Sequence, residues 1–205
     1  AGGALGKGVG PLLISKYPVL PNQLSTSATI SLPGEHTTAH LLFSWAFPKH
    51  QQKEFRLFSS IEEAISTGKT DLGVIIHENR FTYQAKGLHL VSDLGHLWEQ
   101  QTQLPIPLGA IAAKRSLPIA LRRRVEQHIR ESIRWSYQQT SLSPFILAHA
   151  QELSPSIIQQ HIDLYVNEFS LSMGEQGRQA VRSLMDVYAR CHTAVDRVDD
   201  SALFS

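Results

Sequence analysis

Cysteine is nearly absent from this sequence: Cys191 is the single one in 205 residues. That excludes an internal disulfide and any cysteine-based zinc site. Long apolar runs are missing as well. None approaches the roughly 20 residues that a membrane-spanning helix needs, and the start lacks the charged-then-apolar pattern of a secretory signal. Excess charge of one sign is also lacking, with 19 Lys and Arg against 18 Asp and Glu. A net charge of +1 makes no field for nucleic acid, and the run Arg122-Arg123-Arg124 reads as the solvated face of a helix. The expectation is a cytoplasmic protein with no nucleic-acid and no membrane partner. Its 42% hydrophobic content is enough to bury a core without staples.

What is present in the first half alternates strand and helix signals. Ala28 to Leu32 is a short β-branched run stopped by Pro33-Gly34, and Thr37-Thr38-Ala39 then opens an apolar helix that ends before Pro48. Glu54 to Phe58 reads as the next strand. Ser60 with Glu63 makes a capping-box pattern, and Gly68 closes the helix that follows. Leu72 to Ile76 is a continuous apolar run, as expected of a strand buried on both faces. Leu88 to Leu94 alternates, a short helix passes through Trp98, and Leu104 to Gly109 leads into the apolar Ala110 to Ala113. This pattern is α/β, with connections short enough for crossover units and a parallel sheet.

From Ser116 onward the signals are helical. Leu121, Val125, Ile129, Ile133 and Tyr137 recur at four-residue spacing along one face. Ser154-Pro155 starts a helix with Ile158, Ile162, Tyr165 and Phe169 aligned, and Ser172 with Glu175 forms a second capping-box pattern before a helix reaching about Val195. The tail from Asp196 is polar and expected to fray. These apolar faces require a partner surface, and a homo-oligomer is one arrangement that supplies it.

The chemistry is densest where the apolar run ends in His77 and continues as Glu78-Asn79-Arg80-Phe81-Thr82-Tyr83. In an open sheet, ligands collect at the carboxyl ends of parallel strands, and both His77 and the Gly34 to Ala39 turn lie just past such ends. The free amides of the first helical turn there suit a carboxylate or phosphate, or one threonine merely caps the helix. His77 is either a satisfied structural histidine or a base, since a neutral imidazole in that pocket can accept a proton. Arg80 carries a planar guanidinium suited to a substrate carboxylate, or it forms an ordinary ion pair. Gly6-Lys7-Gly8-Val9-Gly10 has neither phosphate-loop spacing and reads as a bend. His36, His40, His50, His89 and His96 show no metal-ligand spacing and are expected at the surface.

Four blocks carry a resemblance to a family. They are Pro33-Gly34-Glu35-His36-Thr37-Thr38-Ala39, Gly73 through Tyr83, Leu104-Pro105-Ile106-Pro107-Leu108-Gly109, and Tyr165-Val166-Asn167-Glu168-Phe169-Ser170 followed by Gly174-Glu175-Gln176-Gly177. In this order they resemble the 1,4-dihydroxy-6-naphthoate synthases. The resemblance implies a fold similar to periplasmic solute-binding proteins, with two α/β lobes around a cleft. It implies conversion of cyclic dehypoxanthinyl futalosine, a small carboxylate, to 1,4-dihydroxy-6-naphthoate with loss of the sugar-derived fragment, in menaquinone biosynthesis and with neither cofactor nor metal. By that resemblance His77 is the proton-abstracting base, and Thr38 and Ala39 are the substrate-contacting pair, with Thr37 beside them. The implied division is a crossing segment over 1–16, a small α/β lobe over 17–108, and a second crossing with helices of the larger lobe over 109–205. The family's opening strands and helices are expected to lie outside this chain. The alternatives are a solute-binding protein that holds a carboxylate without turning it over, and a chorismate dehydratase. The block around His77 argues against the latter.

Overall fold

The computed structural model describes residues 2–77, 79–150 and 154–191. The chain opens with β1 (Gly3–Gly6), bends at Gly8 with φ of +71°, and enters β2 (Leu12–Ser15). Then follow β3 (Ile30–Leu32), α1 (Thr38–Ala46), β4 (Lys53–Phe55), α2 (Ile61–Ser66) and β5 (Leu72–Ile75). A short α3 (Asn79–Thr82) leads to β6 (His89–Asp93), α4 (Leu94–Thr102) and β7 (Ile106–Ala110). The remainder is helical: α5 (Ile119–Ser136), α6 (Pro144–His149), α7 (Pro155–Tyr165), α8 (Glu168–Leu171) and α9 (Gly174–Cys191).

Five strands form one sheet in the order β4-β3-β5-β2-β6, and β1 pairs antiparallel with β7 in a separate ladder. The expected parallel sheet is in fact mixed: β3 is parallel to β4 and β5, whereas β2 runs antiparallel to both β5 and β6. The cause is Leu12-Leu13-Ile14-Ser15, four buried residues that arrive from the opposite direction and fill the slot between β5 and β6.

Period-two alternation assigns each strand residue to one of two cores. Leu13 and Val74 face α1, where Leu42 and Phe43 are fully buried. Leu12, Ile14 and Ile75 face Ile61 and Ile65 of α2. A sheet covered on both sides explains why β5 reads as an unbroken apolar run. Trp98 of α4 is completely buried, packs edge-on against Trp45 at 5.6 Å and donates its indole N–H to the Pro105 carbonyl at 3.1 Å. Truncating a side chain so enclosed costs about 3–5 kcal/mol.

Several local expectations are corrected. Ser60 does not cap α2 through its side chain; its hydroxyl donates instead to the Leu57 carbonyl inside a preceding 3-10 turn that takes up Phe58, so the strand before it ends at Phe55. Ser172 closes α8, and Glu175 pairs with Arg182. His50 is buried rather than superficial, edge-on to Phe43 and Phe47, with neither ring nitrogen hydrogen-bonded to protein. α9 extends to Cys191, and the expected frayed tail lies outside the described residues. The apolar stripe of α5 is largely uncovered, with Leu121 and Val125 close to half exposed. Among the described residues no helix is long and apolar enough to cross a membrane.

Candidate active site

Because β3 and β5 are parallel neighbours, the segments that leave their carboxyl ends emerge on the same edge of the sheet. The first runs through Pro33-Gly34 to the start of α1, and the second runs through Ile76 to His77. Together with β1, β7, the Val9-Gly10-Pro11 segment and one face of α7, they enclose a cavity of about 470 Å³. Thr37, Thr38, Ala39 and His77 all line it.

The start of α1 shows how the sequence builds its half of the site. Thr37 is the N-cap, accepting the His40 N–H at 3.2 Å while its own hydroxyl donates to the Gly34 carbonyl at 2.8 Å. Its oxygen is thereby committed to the turn. Thr38 and Ala39 are the first two helical residues, whose N–H groups have no acceptor one turn earlier and sit at the positive end of the helix. Ala39 is buried, so its side chain brings no bulk between the amides and the cavity. His40, one step further, turns its ring away, with Nδ1 at 2.7 Å from the Glu35 carbonyl and Nε2 at 3.4 Å from the Lys53 ammonium. Burial pulls Lys53 below its ordinary range, and it also donates to Ser44 at 2.8 Å.

His77 sits on the other side in a left-handed backbone conformation, with φ of +57°. A non-glycine residue held there stores strain of about 1–3 kcal/mol, and such positions concentrate at functional sites. The ring packs edge-on against Phe58 at 5.5 Å and faces the His161 ring of α7 at 6.3 Å. The segment after the turn is anchored from below by Glu62, a carboxylate buried in α2. Its Oε2 accepts from Asn79 Nδ2 and, at 2.7 Å, from Lys86.

Arg80 has a different placement from the one its chemistry suggested. Its guanidinium donates to the Gly10 carbonyl and lies 3.4 Å from Asp93, itself the N-cap of α4. It is absent from the cavity wall, and Arg80 ties the His77 turn to the segment between β1 and β2 and to the end of β6. His161 was not singled out from the sequence, and Tyr165 was read only as part of an apolar stripe and of the Tyr165 to Ser170 block; the two lie on the same stripe of α7 as Ile158, one turn apart. A histidine inside an apolar stripe was the available signal. Tyr165 donates to the Val9 carbonyl at 3.3 Å, Asn167 to the Leu5 carbonyl at 2.8 Å, and Ser170 to the Gly3 carbonyl at 3.3 Å. The Tyr165 to Ser170 block therefore fastens the helical part to β1 and the crossing segment. Among the described residues no group of three or more His, Cys, Asp or Glu side chains is placed to hold a metal ion.

A mixed five-stranded sheet, a separate β1-β7 ladder and a helical part, with a cleft between sheet edge and helices, are those of a solute-binding-protein-like fold. The periplasmic aliphatic sulphonate binding protein of Escherichia coli superposes with a TM-score of 0.58 over 98% of this chain and 68% of that one, at 13% identity. A crystal structure of an Archaeoglobus fulgidus protein superposes more closely, with a TM-score of 0.85 at 28% identity over 95% of this chain and 72% of its own. The chain belongs to the menaquinone biosynthesis family, whose model matches residues 1–190. The 1,4-dihydroxy-6-naphthoate synthase of Streptomyces coelicolor is 42% identical over 190 residues. The match covers 90% of this chain, which spans 66% of the length of that relative.

Proposed function

We propose that this chain carries the base-bearing part of a 1,4-dihydroxy-6-naphthoate synthase, a cytoplasmic lyase acting on cyclic dehypoxanthinyl futalosine. The observation that carries the reading is the convergence of His77 with the Thr38 and Ala39 amides on one cavity at the carboxyl ends of adjacent parallel strands. The substrate's carboxylate meets the amides at the positive end of α1, which fixes its orientation. His77 then removes a proton from the substrate carbon presented to it, and the bond to the sugar-derived fragment breaks as the naphthoate ring becomes aromatic. Strain at His77 and the contact with Phe58 hold the imidazole in place before substrate arrives. The same residues need no cofactor for this chemistry.

Mass-spectrometric detection of 1,4-dihydroxy-6-naphthoate after incubation with cyclic dehypoxanthinyl futalosine tests the reading. His77→Ala is expected to lower turnover by about 10² to 10⁴ while leaving substrate affinity largely intact. Tight binding of substrate with no product from the wild-type protein would instead identify a solute-binding protein of the same architecture.

A further inference from the structure

We propose that His161 is a second catalytic residue, the general acid that works opposite His77. The inference deepens the naphthoate-forming reading and rests on it. It starts from a juxtaposition across the cleft: His77 leaves β5 on one side, His161 projects from α7 on the other, and their ring centroids are 6.3 Å apart with planes inclined at 51°. Both line the same cavity. Hydrogen bonds of about 2.7–3.2 Å from each ring reach two different atoms of one substrate lying between them.

The seat of His161 is built. Its ring lies 4.6 Å from that of Tyr165, and the Tyr165 hydroxyl is itself fixed on the Val9 carbonyl of the crossing segment. Two residues one turn apart on α7 thus set the imidazole against the segment between β1 and β2 that belongs to the cleft wall.

The reaction requires such a group. When His77 takes the proton from carbon, the electron pair of that C–H bond enters the ring, and the bond to the sugar-derived fragment breaks with its electrons departing on an oxygen of that fragment. An unprotonated alkoxide or enolate is a poor leaving group in a cavity with apolar walls, so proton delivery to that oxygen lowers the barrier. His161, as imidazolium, supplies that proton. The net change is one proton moved from carbon to oxygen with no oxidant or reductant, and the pair is reset by transfer from His77 back to His161 through water. Dividing the work between two facing imidazoles lets neither have to reach both atoms.

Among the described residues, His36, His77 and Tyr165 are the other titratable side chains on the cavity wall, and a pH–rate profile of His161→Asn reads the assignment. The variant is expected to lose about 10² to 10⁴ in kcat with KM changed by no more than about threefold. It is also expected to lose the fall in rate at high pH that deprotonation of the acid produces, while keeping the fall at low pH. His161→Ala, checked for an unchanged melting temperature, is expected to regain activity when free imidazole is added. Full turnover in His161→Asn with both limbs retained overturns the assignment and leaves the enzyme reading standing, because the wild type still forms product. A loss of rate with an unchanged profile and no imidazole rescue assigns His161 to structure alone and equally overturns it. A wild-type protein that forms no product removes both readings together.

Discussion

Arg80 and Gly10, 70 residues apart in sequence, are joined by a hydrogen bond from the guanidinium to the backbone carbonyl. Arg80 lies three residues after His77, and Gly10 lies between β1 and β2, so the bond couples the turn that carries the proposed base to the segment that leads into β2. Asp93 receives the same guanidinium at 3.4 Å and also caps α4. Arg80→Ala removes both attachments, leaving a mostly buried carbonyl and carboxylate short of a donor. It is expected to lower unfolding free energy by about 1–3 kcal/mol in urea titration and to reduce turnover. Arg80→Lys is expected to recover only part of this, since a single ammonium cannot span two acceptors as a planar fork does.

The crossing segment passes α4 at a distance that excludes side chains. A Cβ built on Gly10 lies 2.2 Å from the Gly95 Cα. Gly10→Ala is therefore expected to destabilise the protein by about 1–3 kcal/mol, with Gly95→Ala similar. The double variant should fall short of the sum, because one separation of the two backbones makes room for both methyl groups. Chemical denaturation of the three variants measures this.

Glu62 holds Asn79 and Lys86 on one carboxylate oxygen, and its side chain is only 6% exposed. Glu62→Gln keeps the shape while removing the charge that faces Lys86, with an expected loss of about 1–3 kcal/mol. Removing the partner by Lys86→Met leaves the carboxylate buried beside Asn79 alone. Thermal melting of both variants, with turnover measured in parallel, separates loss of global stability from misplacement of the His77 turn.

Lys53 gives a pH dependence. Burial lowers its pKa from the ordinary 10.5, opposed in part by Cys191. Just below 10.5 the unfolded chain therefore binds more protons at this site than the folded one, and stability from this group rises as pH increases towards that value. Lys53→Met is expected to flatten this part of the profile. Denaturation midpoints of wild type and variant across about pH 8 to 10 read the difference.

The strand-turn-helix from Ile30 to Ala46 and the helices α5, α7 and α9 were legible because each rests on local chemistry. By contrast, α6 was not read, and Phe169, expected in line with the α7 stripe, belongs to α8. Thr37 does cap α1, and the four-residue spacing of Leu121, Val125 and Ile129 does lie in a helix. β2 was not legible as a strand. Four apolar residues after Pro11 carry no periodicity that separates strand from connection, and only their burial between β5 and β6 defines them. The Ser60 pattern failed for a comparable reason: its hydroxyl found an acceptor in the turn before it rather than in the helix after it.

The site divides in the same way. The sequence alone determined that an apolar strand ends in His77, that Thr37 to Ala39 begin a helix, and that both follow strand ends, since these are matters of neighbours along the chain. Only the tertiary structure decided that β3 and β5 lie side by side and parallel, which merges the two ends into one cavity. It also decided that Arg80 turns to Gly10 and that His161 arrives opposite His77. Local propensity and capping act over a few residues. The facing of two imidazoles 84 positions apart depends on how sheet and helices pack, and nothing in the residues adjacent to either one records it.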